Sequence, residues 1–390
     1  MQLKKLQDAA VEGRRVLVRC GFDVPFDADG NISEDIRIRE CLPTLQWLLE
    51  RKATLILASH NGRPKGQIVL KLSMGKVAER LEKLLGVPVR QLHDCVGVEV
   101  ATAVSATKPG SVVLLENLRF HAGEEANSPD FAKQLASYAD VYVNEAFANS
   151  HRDHASMTGV PKLIPGYAGL RLQEEVAALG GVLENPGRPL VAIIGGAKIS
   201  DKIRVIRRFL DIADHVLIGG ALANTILKAQ GVSIGKSLVE EDMMAVAREL
   251  PLTSTKLHVP VDVIIAHQID KGAVTQTKAV GTVGDDEYIL DIGPDTVKLY
   301  GMVIAEAKMV VWGGPMGYYE LPQFAAGTRS IAAAVGKSGA RSVVGGGDTV
   351  DALNQAGYED KVSFVSTGGG AMLKFLEGKS LPALLPLMIP

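Results

Sequence analysis

A chain of 390 residues with 47% hydrophobic and 22% charged side chains has globular composition and is long enough for two domains of ordinary size. Its formal net charge of −2, from 42 basic against 44 acidic residues, excludes a bulk electrostatic footprint for nucleic acid. Cys20, Cys41 and Cys95 form neither a disulfide framework nor a zinc signature. The opening MQLKKLQDAAVEGRR lacks a signal-peptide core and no apolar run approaches the ~18 residues of a membrane helix, so we expect a soluble protein of a reducing compartment with no membrane partner.

In chain order, apolar runs alternate with helix-period segments. Strands are predicted at Val16–Arg19, Thr54–Ala58, Ser111–Leu115, Val141–Val143, Leu190–Ile194, His215–Ile218, Val263–Ala266, Met309–Val311, Arg341–Val344 and Lys361–Val365. Most are continuous Val/Ile/Leu runs, the pattern of strands buried on both faces of a parallel sheet. Amphipathic stretches at Cys41–Lys52, Lys71–Leu85, Pro129–Tyr138, Asp201–Ala213 and Thr349–Ala356 lie between them. Strand then helix, repeated, predicts a doubly wound α/β architecture. One series runs to about Pro165 and a second begins near Leu190. Between them Leu170–Leu183 has helical periodicity and stops at Glu184-Asn185-Pro186-Gly187. We read it as a helix joining two domains; a helix inside one domain is the alternative.

Ligands of open α/β sheets bind beyond the carboxyl ends of the strands. In the first half those ends carry basic residues: Arg37, His60, Arg63, Arg119, His151, Arg152 and His154. Any one arginine alone is as a rule a solvated surface residue, but four at four strand ends predict an anion pocket. In the second half the strand ends carry glycines, in IIGGAKISDK (193–202), LIGGAL (217–222), VVWGGPMG (310–317), VVGGGDT (343–349) and VSTGGGA (365–371). One such run is commonly a tight turn. Five in succession predict backbone N–H groups and helix N-termini laid against nucleotide phosphates. Neither a GxxxxGK[ST] loop nor a GxGxxG fingerprint occurs, which counts against a dehydrogenase.

Lys198 and Lys202 have the spacing of two ammonium groups on one helix face, either exposed or turned to phosphates. Asp348 either caps the helix that follows or holds the Mg²⁺ that accompanies a nucleotide, and we favour the metal. The expected chemistry joins two anions across a cleft, so neutralisation and positioning dominate. A carboxylate nucleophile is ionised at neutral pH and needs no general base, which fits the lack of a Ser/His/Asp or Cys/His arrangement.

With these motifs in order, the sequence closely resembles phosphoglycerate kinase over essentially its whole length. The residues that carry the resemblance are FDVP (22–25), RIR (37–39), SHNGRPKG (59–66), LLENLRFH (114–121), VNEAF (143–147), HRDHAS (151–156), GGAKISDKI (195–203), GKSLVEED (235–242), DIGP (291–294), VVWGGPMG (310–317), GGGDT (345–349) and STGGGA (366–371). The resemblance implies two Rossmann-like doubly wound parallel-sheet domains joined by a hinge helix. These would be an acid-substrate domain over 1–168 with the tail 376–390 folded back onto it, an interdomain helix over 169–185, and a nucleotide-binding domain over 186–375. It implies a monomeric, hinge-bending, cytoplasmic enzyme of glycolysis. Such an enzyme transfers the phosphoryl group of 1,3-bisphosphoglycerate to Mg-ADP, reversibly. Arg37, His60, Arg63, Arg119 and Arg152 would bind phosphoglycerate, with Asp23 at the substrate hydroxyl. Arg37, Lys198, Gly346 and Gly369 would serve the transfer itself, and Gly370 the closure between domains. Lys202 would meet the nucleotide phosphates, with Gly345, Gly346, Gly347 and Thr349 lining them. Gly195, Gly196, Gly219 and Gly220 would flank the adenosine, Glu320 would meet the ribose, and Asp348 would hold Mg²⁺.

The chain departs from the family pattern at several places. VDFNVP reads CGFDVP, so Gly21 and Asp23 replace an Asp and an Asn that contact substrate. WNGP reads WGGP, leaving Gly313 without an amide. NDAFGTAHR reads NEAFANSHR, GGGMAYTF reads GGALANTI, and STGGGASLE reads STGGGAMLK. Two alternatives therefore stand beside the leading reading. One is a paralogous kinase for a related acid, and the other is a weakly active regulatory nucleotide-binding protein.

Overall fold

The computed structural model describes residues 1–389. The chain divides into two compact units, Met1–Ala177 with Ser380–Pro390, and Ala178–Lys379.

The first unit holds β1 (Arg15–Cys20), β2 (Thr54–Ala58), β3 (Val89–Gln91), β4 (Val112–Leu114), β5 (Val141–Glu145) and β6 (Gly166–Ala168). They form one all-parallel sheet in the order β3-β4-β2-β1-β5-β6. All five residues of β2 are buried, as expected of a strand covered on both faces. Helices α1 (Ile36–Glu50), α2 (Gly75–Leu85), α3 (Val98–Ser105), α4 (Ala122–Glu125) and α5 (Pro129–Ala136) cover it. In α2 the buried side chains are Val77, Ala78 and Leu81. Gly86 ends the helix in the left-handed region (φ +69), its N–H donating to the Glu82 carbonyl at 2.9 Å. Ser128 caps α5 by accepting from the Phe131 N–H, with Pro129 at the first helical position. The carboxyl-terminal tail packs onto this unit. Leu384 and Leu387 are buried, Lys4 N–H donates to the Leu387 carbonyl at 2.8 Å, and Ala383 N–H donates to that of Ser150 at 3.1 Å. Helix α6 (Leu170–Glu184) follows β6.

The second unit holds β7 (Leu190–Ile194), β8 (His215–Ile218), β9 (Leu257–His258), β10 (Asp262–Ala266), β11 (Gln276–Ala279), β12 (Tyr288–Ile292), β13 (Met309–Gly313), β14 (Arg341–Gly345) and β15 (Phe364–Ser366). Six of them make a second all-parallel sheet, β15-β14-β13-β7-β8-β9. Its helices are α7 (Ile203–Ile212), α8 (Ala221–Ala229), α9 (Met244–Arg248), α10 (Pro294–Glu306), α11 (Ala326–Lys337), α12 (Gly347–Gln355) and α13 (Gly370–Leu376). α7 turns Ile203, Ile206, Phe209 and Leu210 inward, the 3–4 spacing of an amphipathic helix.

Two expectations need correction here. Val263–Ala266 lies within β10, which pairs antiparallel with β11 and β12 in a separate three-stranded sheet. A short buried run carries no information about the direction of its partner. The strand expected at Lys361–Val365 begins only at Phe364, because Glu359–Lys361 forms a 3-10 turn.

Candidate active site

In the first unit, the loops after β1, β2, β4 and β5 and the first turn of α1 bring the basic residues together. Ser59, just past β2, cross-links the sheet edge. Its hydroxyl donates to the Cys20 carbonyl at 2.8 Å and accepts from the Phe22 N–H at 2.9 Å. This holds the loop after β1 against the loop after β2. Asp23 then accepts from the Gly62 N–H at 2.9 Å. Its other oxygen lies 3.7 Å from His60 Nε2 and 3.8 Å from Arg37.

Arg37 was expected at a strand end. It stands instead in the first turn of α1, where its guanidinium donates to the Asp23 carbonyl at 2.6 Å. Arg119, largely buried in the turn after β4, donates to the Gly62 carbonyl at 2.8 Å and lies 3.4 Å from Glu125. Arg63 and Arg152 are exposed.

His60 is 1% exposed. Burial, and then the neighbouring Arg19, Arg119, His154 and Arg37 groups, hold its pKa well below the ordinary 6.5, so the ring is neutral at pH 7. His154 is pushed down to about 4, first by burial and then by Arg119, Arg19 and Arg152. The pocket is therefore charged by guanidinium groups, and its histidines act as neutral hydrogen-bonding groups.

The sequence reading missed Arg19, which is 1% exposed in β1 and bonded to His60. A charged residue following the apolar run Val16–Val18, inside a strand, was the available signal.

In the second unit, the glycine runs meet beyond the carboxyl ends of β7, β8, β13, β14 and β15. A pocket of about 450 Å³ is lined by Gly196, Lys198, Lys202, Gly313, Gly345, Gly346, Gly347, Asp348, Thr349 and Gly369. A second pocket of about 450 Å³, more apolar, is lined by Gly196, Gly220, Asn224, Leu238, Tyr288, Leu290, Met316, Glu320 and Asp348 among others. Gly195 and Gly219 stand behind these loops. A Cβ on Gly195 would run into Pro315 and Gly314, and one on Gly219 into Met316. Thr349 is buried, and its hydroxyl accepts from the Gly314 N–H at 2.6 Å, which fixes the loop after β13 to α12.

Lys198 and Lys202 do not share a helix face, because α7 starts only at Ile203. Both lie in the loop before it. Glu240 pins that loop by accepting from the Ser200 hydroxyl at 2.6 Å and its N–H at 3.0 Å. Lys198 is exposed, whereas Lys202 turns its ammonium back to the Gly195 and Gly313 carbonyls.

Asp348 does not cap its helix. Gly346 occupies the cap position (φ +98), and Asp348 sits exposed in the first turn of α12. Sequence reading also missed Asn224, Tyr288 and Asp291 as pocket-lining residues, since nothing in their local pattern separates a pocket wall from a core.

A family model described as PGK, phosphoglycerate kinase, matches residues 6–379. The phosphoglycerate kinase of Moorella thermoacetica is 50% identical over 386 residues, covering 98% of this chain and 98% of that protein. That of Dictyoglomus turgidum is 48% identical over 387 residues, covering 98% and 97%. Among solved structures, phosphoglycerate kinase from Coxiella burnetii superposes with a TM-score of 0.88 at 41% identity, and that from Pyrococcus horikoshii with 0.87 at 31%. Each comparison covers 99% of this chain and 98% of the other.

Proposed function

Because this chain belongs to the phosphoglycerate kinase family, a family of phosphotransferases that use ATP and ADP, we propose that the basic pocket of its first unit holds phosphoglycerate and the glycine-lined pockets of its second hold the nucleotide. The reaction is reversible phosphoryl transfer between 1,3-bisphosphoglycerate and ADP, giving 3-phosphoglycerate and ATP. One observation carries the assignment of the nucleotide site. Four strand-end loops, those after β7, β13, β14 and β15, put glycine backbone, two lysines and the N-terminus of α12 around one pocket wall, an arrangement suited to polyphosphate.

In the acid pocket, Arg37, Arg63, Arg119 and Arg152 supply the positive charge, and neutral His60 and Asp23 supply directional hydrogen bonds. The carboxylate that accepts the phosphoryl group is already ionised, so no side chain need remove a proton. Charge neutralisation and alignment therefore account for the catalysis. Arg37 and Lys198 are the cations assigned to the transferring group, with the backbone of Gly346 and Gly369 beside it. Lys202 and the N–H groups of the loops at Gly345–Gly347 are assigned to the nucleotide phosphates, with Gly196 and Gly220 against the adenosine and Glu320 at the ribose.

Asp348 fits Mg²⁺. It is a hard oxygen donor, exposed in the first turn of α12, and it lines both nucleotide pockets. When bound, the ion would neutralise phosphate charge. We place the protein in the cytoplasm as a monomer. No helix among the described residues is long and apolar enough to cross a membrane, and all three cysteines are free and buried.

A coupled assay with 3-phosphoglycerate and Mg-ATP tests the proposal. The intact chain turns over, and Lys198→Ala loses activity by about 10²-fold or more, as expected when a charge acting on the transferring group is removed. Turnover unaffected in Lys198→Ala overturns the assignment.

A further inference from the structure

Arg19 is a fully buried guanidinium with no carboxylate in direct contact among the described residues. Each of its three nitrogens has a different acceptor. Nε donates to the Ser156 hydroxyl at 2.9 Å, NH1 donates to the Cys20 carbonyl, and NH2 lies 3.0 Å from Nδ1 of His60. Ser156 passes the contact on. Its hydroxyl donates to Glu124 Oε1 at 2.6 Å, and its N–H donates to Glu124 Oε2 at 2.9 Å. Glu124 is itself fully buried, so the chain Arg19–Ser156–Glu124 is a buried ion pair mediated by one hydroxyl.

A guanidinium has donors only and stays protonated. The nitrogen it meets on His60 must therefore present a lone pair. If Nδ1 is the acceptor, the proton of the neutral ring is on Nε2. A second proton on Nδ1 would face the Arg19 N–H directly and break the bond.

We infer that Arg19 is a positioning residue. It locks His60 as the neutral Nε2–H tautomer, a fixed hydrogen-bond donor toward the acid substrate, and the Ser156–Glu124 pair holds Arg19 in place for that task. The inference rests on the acid-pocket assignment above and adds to it the role of His60. The titratable and charged groups that face the ring come from every side. They are Arg19 on β1, Asp23 on the loop after it, Arg37 on α1, Arg119 on the turn after β4, and His154 on the segment after β5. Asp23, 3.7 Å from Nε2, is the carboxylate of this set, on the side where the Nε2–H points. His154 is turned toward Glu124, 3.9 Å away. His60 is therefore excluded as a general acid or base, and its contact with substrate does not change as pH crosses the ordinary histidine value.

The test is nitrogen NMR of the full chain labelled at histidine, titrated with pH, together with steady-state kinetics. We expect His60 to show a bare Nδ1 and a protonated Nε2 throughout, with no inflection near the ordinary histidine pKa of about 6.5. Arg19→Met keeps the length of the side chain and removes every donor. It should free the ring to take up the Nδ1–H tautomer as well and raise KM for 3-phosphoglycerate about tenfold, while KM for ATP stays unchanged. A protonated Nδ1 in the intact chain overturns the inference, as does a variant that keeps both a bare Nδ1 and the KM of the parent. If Arg19→Met does not fold, the spectrum of the intact chain decides alone. Adding 3-phosphoglycerate separates the two readings. A locked tautomer whose Nε2–H signal does not respond to the acid would sink the pocket assignment and leave the tautomer inference standing.

Discussion

The ammonium of Lys202 folds back onto the loops it serves, donating to the carbonyl of Gly313 at 3.0 Å and to that of Gly195 more closely still. Two neutral carbonyls replace water around a charge. Burial pushes its pKa from 10.5 down to about 8, against the opposing pull of Asp348 and Asp201. Below about pH 8 the free protein carries the ammonium, and above it the amine. Nucleotide phosphates favour the charged form, so binding between about 8 and 10.5 should take up a proton, and binding at pH 7 should not. Calorimetry of ADP binding at about pH 9, in two buffers of different ionisation enthalpy, measures this. Uptake that survives Lys202→Met would assign the proton elsewhere.

Glu145 is expected to weaken the fold at neutral pH. It is 3% exposed at the end of β5. Oε1 accepts from the Thr44 hydroxyl at 2.7 Å and the Arg171 N–H at 2.9 Å, at the start of α6. Burial pushes its pKa from 4.5 up to about 7, and the hydrogen bonds from Thr44, Arg171 and Leu172 oppose this only in part. Between those values the folded chain keeps a proton that the unfolded chain has lost. Stability therefore falls as pH rises from about 4.5 to 7 and stays at the lower level beyond. Glu145→Gln should be more stable than the parent by about 1–3 kcal/mol at pH 8, with little gain near pH 5. Denaturant unfolding of both proteins at the two pH values checks it, and a Gln variant no more stable at pH 8 refutes it.

Much of this architecture was legible because parallel strands buried on both faces leave unbroken apolar runs. Thr54–Ala58 and Leu190–Ile194 fall at the residues where the runs predict strands. Short edge strands such as Gly166–Ala168 and Leu257–His258 left no run to read. The mostly exposed strand Gln276–Ala279 and the strand Tyr288–Ile292 both take their structure from antiparallel pairing with Asp262–Ala266. At the site, residue types at strand ends were readable and their orientation was not. Lys198 and Lys202 look like a helix pair until the loop geometry separates them. Arg19 sits in a strand, where sequence alone cannot tell which neighbours a side chain meets.

Asp23 brings a negative charge into a pocket we assign to an anion. A neutral amide would keep an oxygen for the Gly62 N–H and remove the repulsion. Asp23→Asn should lower KM for 3-phosphoglycerate about fivefold, on the order of 1 kcal/mol for one charge at contact distance in a solvated pocket, without altering KM for ATP. The gain should shrink with added salt, because Asp23 is 37% exposed and screening acts on it. Kinetics at two ionic strengths decide it. An unchanged or higher KM would mean that the carboxylate itself serves the substrate hydroxyl.

The glycines of the nucleotide loops separate into two kinds, and substitution should tell them apart. At Gly313 a Cβ would meet only the Gly345 carbonyl, at 3.7 Å, so a side chain has room. At Gly345 a Cβ would overlap Met372 Sδ and press on Ser366 at 3.2 Å. Gly313→Asn should therefore fold with stability within about 0.5 kcal/mol of the parent. Its added amide should bind phosphate oxygens and lower KM for ATP. Gly345→Ala should cost about 1–3 kcal/mol from overpacking. Met372→Ala in the same chain should recover part of that loss, because the methionine is what the new methyl displaces. Denaturant unfolding of the three variants beside the parent measures both effects. Equal losses for Gly313→Asn and Gly345→Ala would show that backbone freedom, not space, sets both positions, and no rescue by Met372→Ala would remove the steric account of Gly345.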